Sequence, residues 1–244
     1  MEFFVKIAGI SIKIKTIFPE TRKRFQDYEC SENINPEIVI ETISEDLIRE
    51  CREGRDRRGE YLESLALLRK LGERFPEVEC ILVHGAAVAY RNRGYLFAAP
   101  SGTGKSTHIL LWRKLLGDNV KIINGDKPVL SFRNENDILI CGSPWAGKEG
   151  WQKNCMAPLA GICILRQGIS NRITGISGKK AVEGLLRQIY LPRDTKAAKK
   201  TLELLDRLLD RIPVYCLECD MSEQAVKASF EKMTGFVFEK ERVH

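Results

Sequence analysis

Residues 95–112 read YLFAAPSGTGKSTHILLW. A hydrophobic run ends at Ala99 and Pro100, a short stretch of Ser, Gly and Thr follows, and an apolar segment with helical spacing begins at Lys105. The glycines let the backbone turn so that successive N–H groups point into one concavity, and the helix start adds its partial positive charge. A polyphosphate suits that arrangement, with Ser101, Gly102, Thr103, Gly104, Lys105, Ser106 and Thr107 as its cradle. Lys105 is expected to reach the outer phosphates as a point charge. The Ser106 hydroxyl is expected to coordinate the Mg²⁺ that bridges two of them. Against the strict pattern G-x-x-x-x-G-K-[ST], Ala99 stands where the first glycine belongs. The alternative reading is a Gly-rich helix start that holds no ligand.

Such a loop binds a nucleotide without choosing a reaction, so the groups around it matter. About twenty residues on, VKIINGDKPVLSF gives an apolar strand ending at Asn124, Gly125 and Asp126. A carboxylate at a strand end beside a phosphate loop can hold Mg²⁺ or accept the proton of an attacking hydroxyl. Asp126 is therefore both metal candidate and catalytic candidate, against an ordinary turn Asp before Pro128. His84, in LVHG, follows a strand upstream and is read as a catalytic support that orients a carboxylate or binds phosphate, with a core or turn histidine as the alternative. In GSPWAGKEG, Trp145 and Lys148 lie on a second Gly-rich loop and are read as substrate-binding, because a lysine there suits an anionic substrate. A surface lysine is the competing reading. Glu149, next to Lys148, is the reserve carboxylate.

Working outward, near-continuous apolar runs separated by Gly, Asn, Asp or Pro (ECILVHG, AAVAY, GYLFAA, VKIIN, PVLSF, DILICG, AGICIL) predict a buried sheet. Helices are expected over Lys105–Leu116, 179–190 and 195–212, the last burying Leu202, Leu205, Leu208, Leu209 and Ile212. Near the N-terminus, FFVKIAGISIKIKTI reads as two strands broken near Gly9. Residues 61–73 place Tyr61, Leu65, Leu68 and Leu71 on one helical face packed against the core. Between these, Arg49, Arg52, Arg55, Arg57 and Arg58 alternate with Glu50, Glu53 and Asp56, which reads as a solvated helix end and loop. The chain divides into an N-terminal β element with a helical lead-in over 1–77 and a P-loop domain over 78–244, with no repeat or flexible linker.

The 244 residues carry 39 Lys+Arg against 33 Asp+Glu, a net charge of +6, with 43% hydrophobic content. Those values fit a folded chain with a sizeable core and exclude disordered and collagen-like classes. No apolar run is long enough to span a membrane, and the start lacks the order of a signal peptide, so the expected location is the cytoplasm without membrane partners. The charge is spread along the chain without aromatic interleaving, which predicts no nucleic-acid surface yet suits an anionic ligand. Of eight cysteines only Cys216 and Cys219 form a C-x-x-C, in what reads as a strand end; all are taken as structural thiols.

The order HG, a β-hairpin, a strand, PSGTGKST and a second strand ending in an acid resembles the HPr kinase and ATP-type phosphoenolpyruvate carboxykinase superfamily. VHGAAVAY, LFAAPSGTGKSTHILLW, INGDKP and GSPWAGKEG look like HPr-kinase-related proteins of bacterial genomes, over roughly residues 78–220. The resemblance implies a mixed α/β sheet carrying a P-loop and an ATP- and Mg²⁺-dependent kinase acting on a hydroxyl acceptor. That acceptor would be a Ser or Thr of a peptide or small protein, or a small-molecule alcohol; a homo-oligomer is left open. In HPr kinases the strand end carries two adjacent acids, and here Gly125 holds one of the two places, leaving Asp126 as base, metal ligand or both. A further Gly-rich signature of those enzymes is not recognisable, so neither HPr as substrate nor the reverse reaction is carried over. Competing readings are a non-catalytic nucleotide-binding module and, given the short chain, less readily a carboxykinase.

Overall fold

The computed structural model describes residues 1–31, 35–51 and 58–240. The N-terminal stretch folds as a hairpin of β1 (Glu2–Ile7) and β2 (Ile10–Lys15). Ala8 and Gly9 form its turn at φ 52° and 81°, the two positive values that match a two-residue turn to the strand twist. β3 (Ile38–Glu41) adds to β2 in parallel. A 3₁₀ segment (Pro19–Tyr28), α1 (Ser44–Cys51) and α2 (Gly59–Arg74) complete this part.

A second, mixed sheet is built from β4 (Cys80–Leu82), β5 (Gly85–Tyr90), β6 (Arg93–Ala98), β7 (Val120–Asn124), β8 (Val129–Ser131), β9 (Leu139–Cys141), β10 (Met156–Gln167), β11 (Arg172–Ile176) and β12 (Val214–Cys219). Its order is β4-β8-β9-β10-β6-β5-β7, with β12 also on β10 and β11 outside β12. β10 runs parallel to β6 and β12, whereas β5 is antiparallel to both β6 and β7. The C-terminal ends of β6, β7, β10 and β12 therefore share one edge, where such sheets place ligands.

Alternation along the strands supplies two apolar faces. Tyr95 and Phe97 of β6 point to α3 (Lys105–Leu116) and α6 (Glu223–Thr234), packing with Trp112 and Phe230. Leu96 and Ala98 point the other way, to α4 (Gly178–Leu186) and α5 (Thr195–Arg211), packing with Leu185, Leu204 and Leu208. A third cluster joins Phe3, Ile12, Phe25 and Leu71 to Cys80, Leu82, Val129, Cys141 and Trp145, so the apolar interior runs continuously across residue 77. The anchor of that junction is Glu63 of α2, fully buried. Its carboxylate accepts from Ile17 N–H at 2.6 Å, Phe18 N–H at 3.1 Å, the Thr21 hydroxyl at 2.5 Å, and the Thr42 hydroxyl.

The seven expected runs of the buried sheet are all strands, and the helix at Lys105–Leu116 has the expected bounds. Two expected faces are rotated. In α2 the buried side chains are Leu62, Ala66, Leu67 and Leu71, while Tyr61, Leu65 and Leu68 are only partly covered, because Glu63 and Ser64 also turn inward. In α5, Leu204 is 0% exposed and Leu202 44%, so Leu204 takes the place expected of Leu202. The helix expected over 179–190 ends at Leu186, and residues 188–190 instead lie along β4. Of the basic run, Arg52, Arg55 and Arg57, with Glu53 and Asp56, lie outside the described residues; Glu50 pairs with Arg69 at 2.7 Å. All eight cysteines are free, with Cys216 and Cys219 within β12. Among the described residues no helix is long and apolar enough to cross a membrane.

Candidate functional site

The loop 99–104 leaves the C-terminal end of β6 and enters α3 directly. Gly102 and Gly104 have φ of 80° and 105°, backbone that a side chain would strain. Gly104 is also the residue before the first turn of α3, and no side chain caps that turn. The free amides of the turn are consequently left for an outside acceptor. Lys105 lies folded back over the loop, its Nζ donating to Ala99 O at 2.8 Å and Pro100 O at 3.2 Å. Burial, opposed by the charge of Asp126, lowers its pKa below that of an ordinary lysine.

Strand register brings the other candidates to this edge. Gly85 of β5 is opposite Ala98 of β6, which sets His84 level with Ala99 at the start of the loop. Asn124 of β7 is opposite Ala87, so Asp126 reaches the same level, and Gly85 N–H donates to Asp126 O at 2.9 Å. The turn is held by Asn124, whose Oδ1 accepts from the N–H groups of Asp126 at 2.9 Å and Lys127 at 2.8 Å. His84 Nε2 and Lys127 Nζ each lie 3.3 Å from Asp126 Oδ1. On its other side His84 Nδ1 lies 3.1 Å from Gln188 Oε1. Burial is the largest influence on Asp126 and would raise it. The His84 hydrogen bond and the charges of Lys127 and His84 outweigh burial and hold the carboxyl below its usual pKa. The result is a partly covered carboxylate with two nitrogen partners, close enough to Lys105 to act on its charge.

Gly125 has a steric reason. A Cβ there would lie 2.7 Å from the carbonyl oxygen of Ala146, a contact real side chains do not make. The second loop, residues 143–150, thus occupies the space an adjacent acid would need. The same loop closes over Asp126, since a Cβ at Gly147 would sit 3.3 Å from Asp126 Cβ. Trp145 corrects the expectation that it faces a substrate. Its indole is 5% exposed, donates to Ser64 O and Oγ at 3.1 Å, and meets Phe25 edge-on with centroids 5.4 Å apart. A large apolar ring beside the N-terminal sheet is worth more as core than in solvent. Lys148 and Glu149 are exposed at the tip of this loop.

The structure adds residues that no motif announced. Arg187 and Gln188 line a cavity of about 270 Å³ together with Ala99, Pro100, Arg166 and Lys180. They also line a cleft of about 480 Å³ that includes His84 and Lys127. They border both the loop and His84 although they are about a hundred positions from His84 in sequence, with only the apolar spacing of α4 as a hint. On the opposite flank of the loop, Thr103, Gly104, Gln167, Asp220 and Met221 line a further cavity of about 260 Å³.

No family model matches the sequence, and no curated protein does. Forty-one chains of solved structures match. One is the HPr(Ser) kinase/phosphatase from Coxiella burnetii, 14% identical, covering 52% of this chain and 90% of that chain with a TM-score of 0.30. At that TM-score the likeness carries no weight of its own, and the mixed α/β chain is to be read from its own geometry.

Proposed function

We propose that the protein is a nucleotide-dependent phosphotransferase of the HPr-kinase-like kind, transferring the γ-phosphoryl group of Mg²⁺·ATP to a hydroxyl acceptor. One observation carries the reading: a glycine-turned loop with an uncapped helix start and a folded-back lysine shares its sheet edge with a histidine-held carboxylate. The donor set fits a triphosphate. Gly102 and Gly104 free the loop amides, and α3 presents its N-terminal turn. Ser106 and Asp126 supply the hydroxyl and carboxylate oxygens that a hard cation takes. Mg²⁺ bound there would neutralise charge on the phosphate oxygens.

In this reading Lys105 releases the carbonyls of Ala99 and Pro100 and turns to the phosphates. Asp126, kept ionised by His84 and Lys127, accepts the proton of the acceptor hydroxyl. The acceptor oxygen forms its bond to phosphorus as the bond to the leaving diphosphate breaks, and ADP departs. His84 is a positioning residue, pinned by Gln188, and Arg187 brings a second cation to the junction of the two clefts. Lys148, exposed at the tip of the loop whose Gly147 packs on Asp126, would meet an anionic acceptor in this reading. The cavity holding Met221 and Asp220 offers an apolar surface and a polar rim for the nucleoside.

Titration calorimetry with Mg²⁺·ATP, together with ADP formation, tests the proposal. Asp126→Asn should keep most of the nucleotide affinity and lose roughly 10²-fold or more in turnover, the scale of general-base removal. Wild-type turnover in that variant would refute the assignment. Joint loss of affinity and rate, partly restored by high Mg²⁺, would move Asp126 from base to metal ligand.

A further inference from the structure

Resting on that reading, we infer that the acceptor is a peptide segment, apolar and acidic next to its Ser or Thr, held in the cleft between α2 and the chain after α4. The cleft of about 480 Å³ is lined both by His84 and Lys127 and by Glu50 and Arg69 of the α1–α2 pair. It thus joins the candidate site to the N-terminal part of the chain. Its apolar lining comes from both sides, Leu65 and Leu68 on α2 facing Ile189 and Leu191. Leu65 and Leu68 are the residues that sequence periodicity assigned to the core and that the structure leaves partly uncovered.

Charge decides the chemistry of the occupant. Arg69 is neutralised by Asp46 at 2.8 Å and Glu50 at 2.7 Å, and Lys127 is paired with Asp126. The guanidinium groups of Arg187 and Arg193, both lining the cleft and both exposed, have no ion-pair or hydrogen-bond partner among the described residues. Two unpaired cations over an apolar floor favour a carboxylate-bearing partner. Extent favours a peptide over a metabolite: the lining draws on α1, α2, β4, the chain after β7 and the chain after α4, from Glu50 through Leu65, Leu68 and Ile189 to His84 and Lys127. The N-terminal part then acts as an acceptor-docking element.

Fluorescein-labelled nonapeptides with a central Ser provide the test, in three series: Leu with Glu/Asp flanks, Leu with Lys/Arg flanks, and Gly with Glu/Asp flanks. Anisotropy without nucleotide reads docking, and mass spectrometry with Mg²⁺·ATP reads transfer. The acidic Leu series should bind and react at least about tenfold better than the other two, and Arg193→Glu or Leu65→Asp should remove that preference. Circular dichroism and Mg²⁺·ATP calorimetry on both cleft variants should match wild type. Equal binding of the three series, or an unaltered preference in both variants, overturns the inference. So does transfer to small alcohols with no peptide bound. Failure of nucleotide binding sinks the phosphotransferase reading instead, while the anisotropy series still decides the docking surface.

Discussion

Replacing Gly125 tests why one acid, and not two, stands at the end of β7. In Gly125→Ala the new Cβ meets Ala146 O at 2.7 Å, about 0.7 Å inside ordinary van der Waals contact at 3.4 Å. The carbonyl cannot simply swing away. Trp145 O accepts from Lys127 N–H at 3.1 Å, Ser143 O accepts from Asn124 Nδ2 at 2.9 Å, and the Trp145 ring is locked in the core. Gly125 N–H is itself fixed to Trp151 O at 2.9 Å. Strain of this sort costs about 1–3 kcal/mol. For a chain of this size that lowers Tm by roughly 2–12 °C. Gly125→Asp should cost at least as much, and because the displaced loop rests on Asp126, ADP formation should fall too. Urea unfolding with an unchanged m-value reads the first effect and a coupled ADP assay the second. Gly125→Asp with wild-type midpoint and equal or higher turnover would refute the reasoning.

Two further outcomes follow from buried groups. Glu63→Leu orphans the N–H groups of Ile17 and Phe18 and the hydroxyls of Thr21 and Thr42, so urea unfolding should show a loss of roughly 3 kcal/mol or more, whereas an effect under about 1 kcal/mol would contradict the anchoring role. His108 is fully buried against Ser229 Oγ at 2.9 Å, and burial pushes its pKa down to about 4. The unfolded chain takes up that proton first, so the contribution is complete above pH 6.5 and is lost as pH falls toward 4. Between pH 7 and 5 stability should drop by about 2 kcal/mol on this account, and His108→Gln should flatten that part of the profile.

Much of the candidate site was legible because its signals are local. The strand–loop–helix of 95–112 needs only adjacent residues, and the turn at Asn124–Asp126 follows from an apolar strand running into Asx chemistry. Whatever depends on distant packing was hidden. Gln188 meets His84 alongside β4, and nothing in LLRQIY marks Arg187 or Gln188 as neighbours of the loop before α3. Polar residues at core positions misled the periodicity: Glu63 and Ser64 turn inward on α2, so the true buried stripe is Leu62, Ala66, Leu67 and Leu71. Trp145 misled in the opposite sense, since a Gly-flanked aromatic reads as a binding residue until the N-terminal sheet is seen to cover it. The 3₁₀ segment and α1 are heavily charged and β3 is only four residues long, so none of them gives a clear periodic signal.

The central claim is that the loop before α3 holds a polyphosphate through Lys105. Thermal unfolding with and without saturating Mg²⁺·ATP tests it most directly. Wild type should gain the stabilisation of a ligand that binds only the folded chain, about 2.7 kcal/mol at a hundredfold excess over Kd. Lys105→Ala should unfold near the wild-type temperature without nucleotide and lose most of that gain with it. An unchanged nucleotide-induced shift in Lys105→Ala, or no shift in the wild type, would contradict the account.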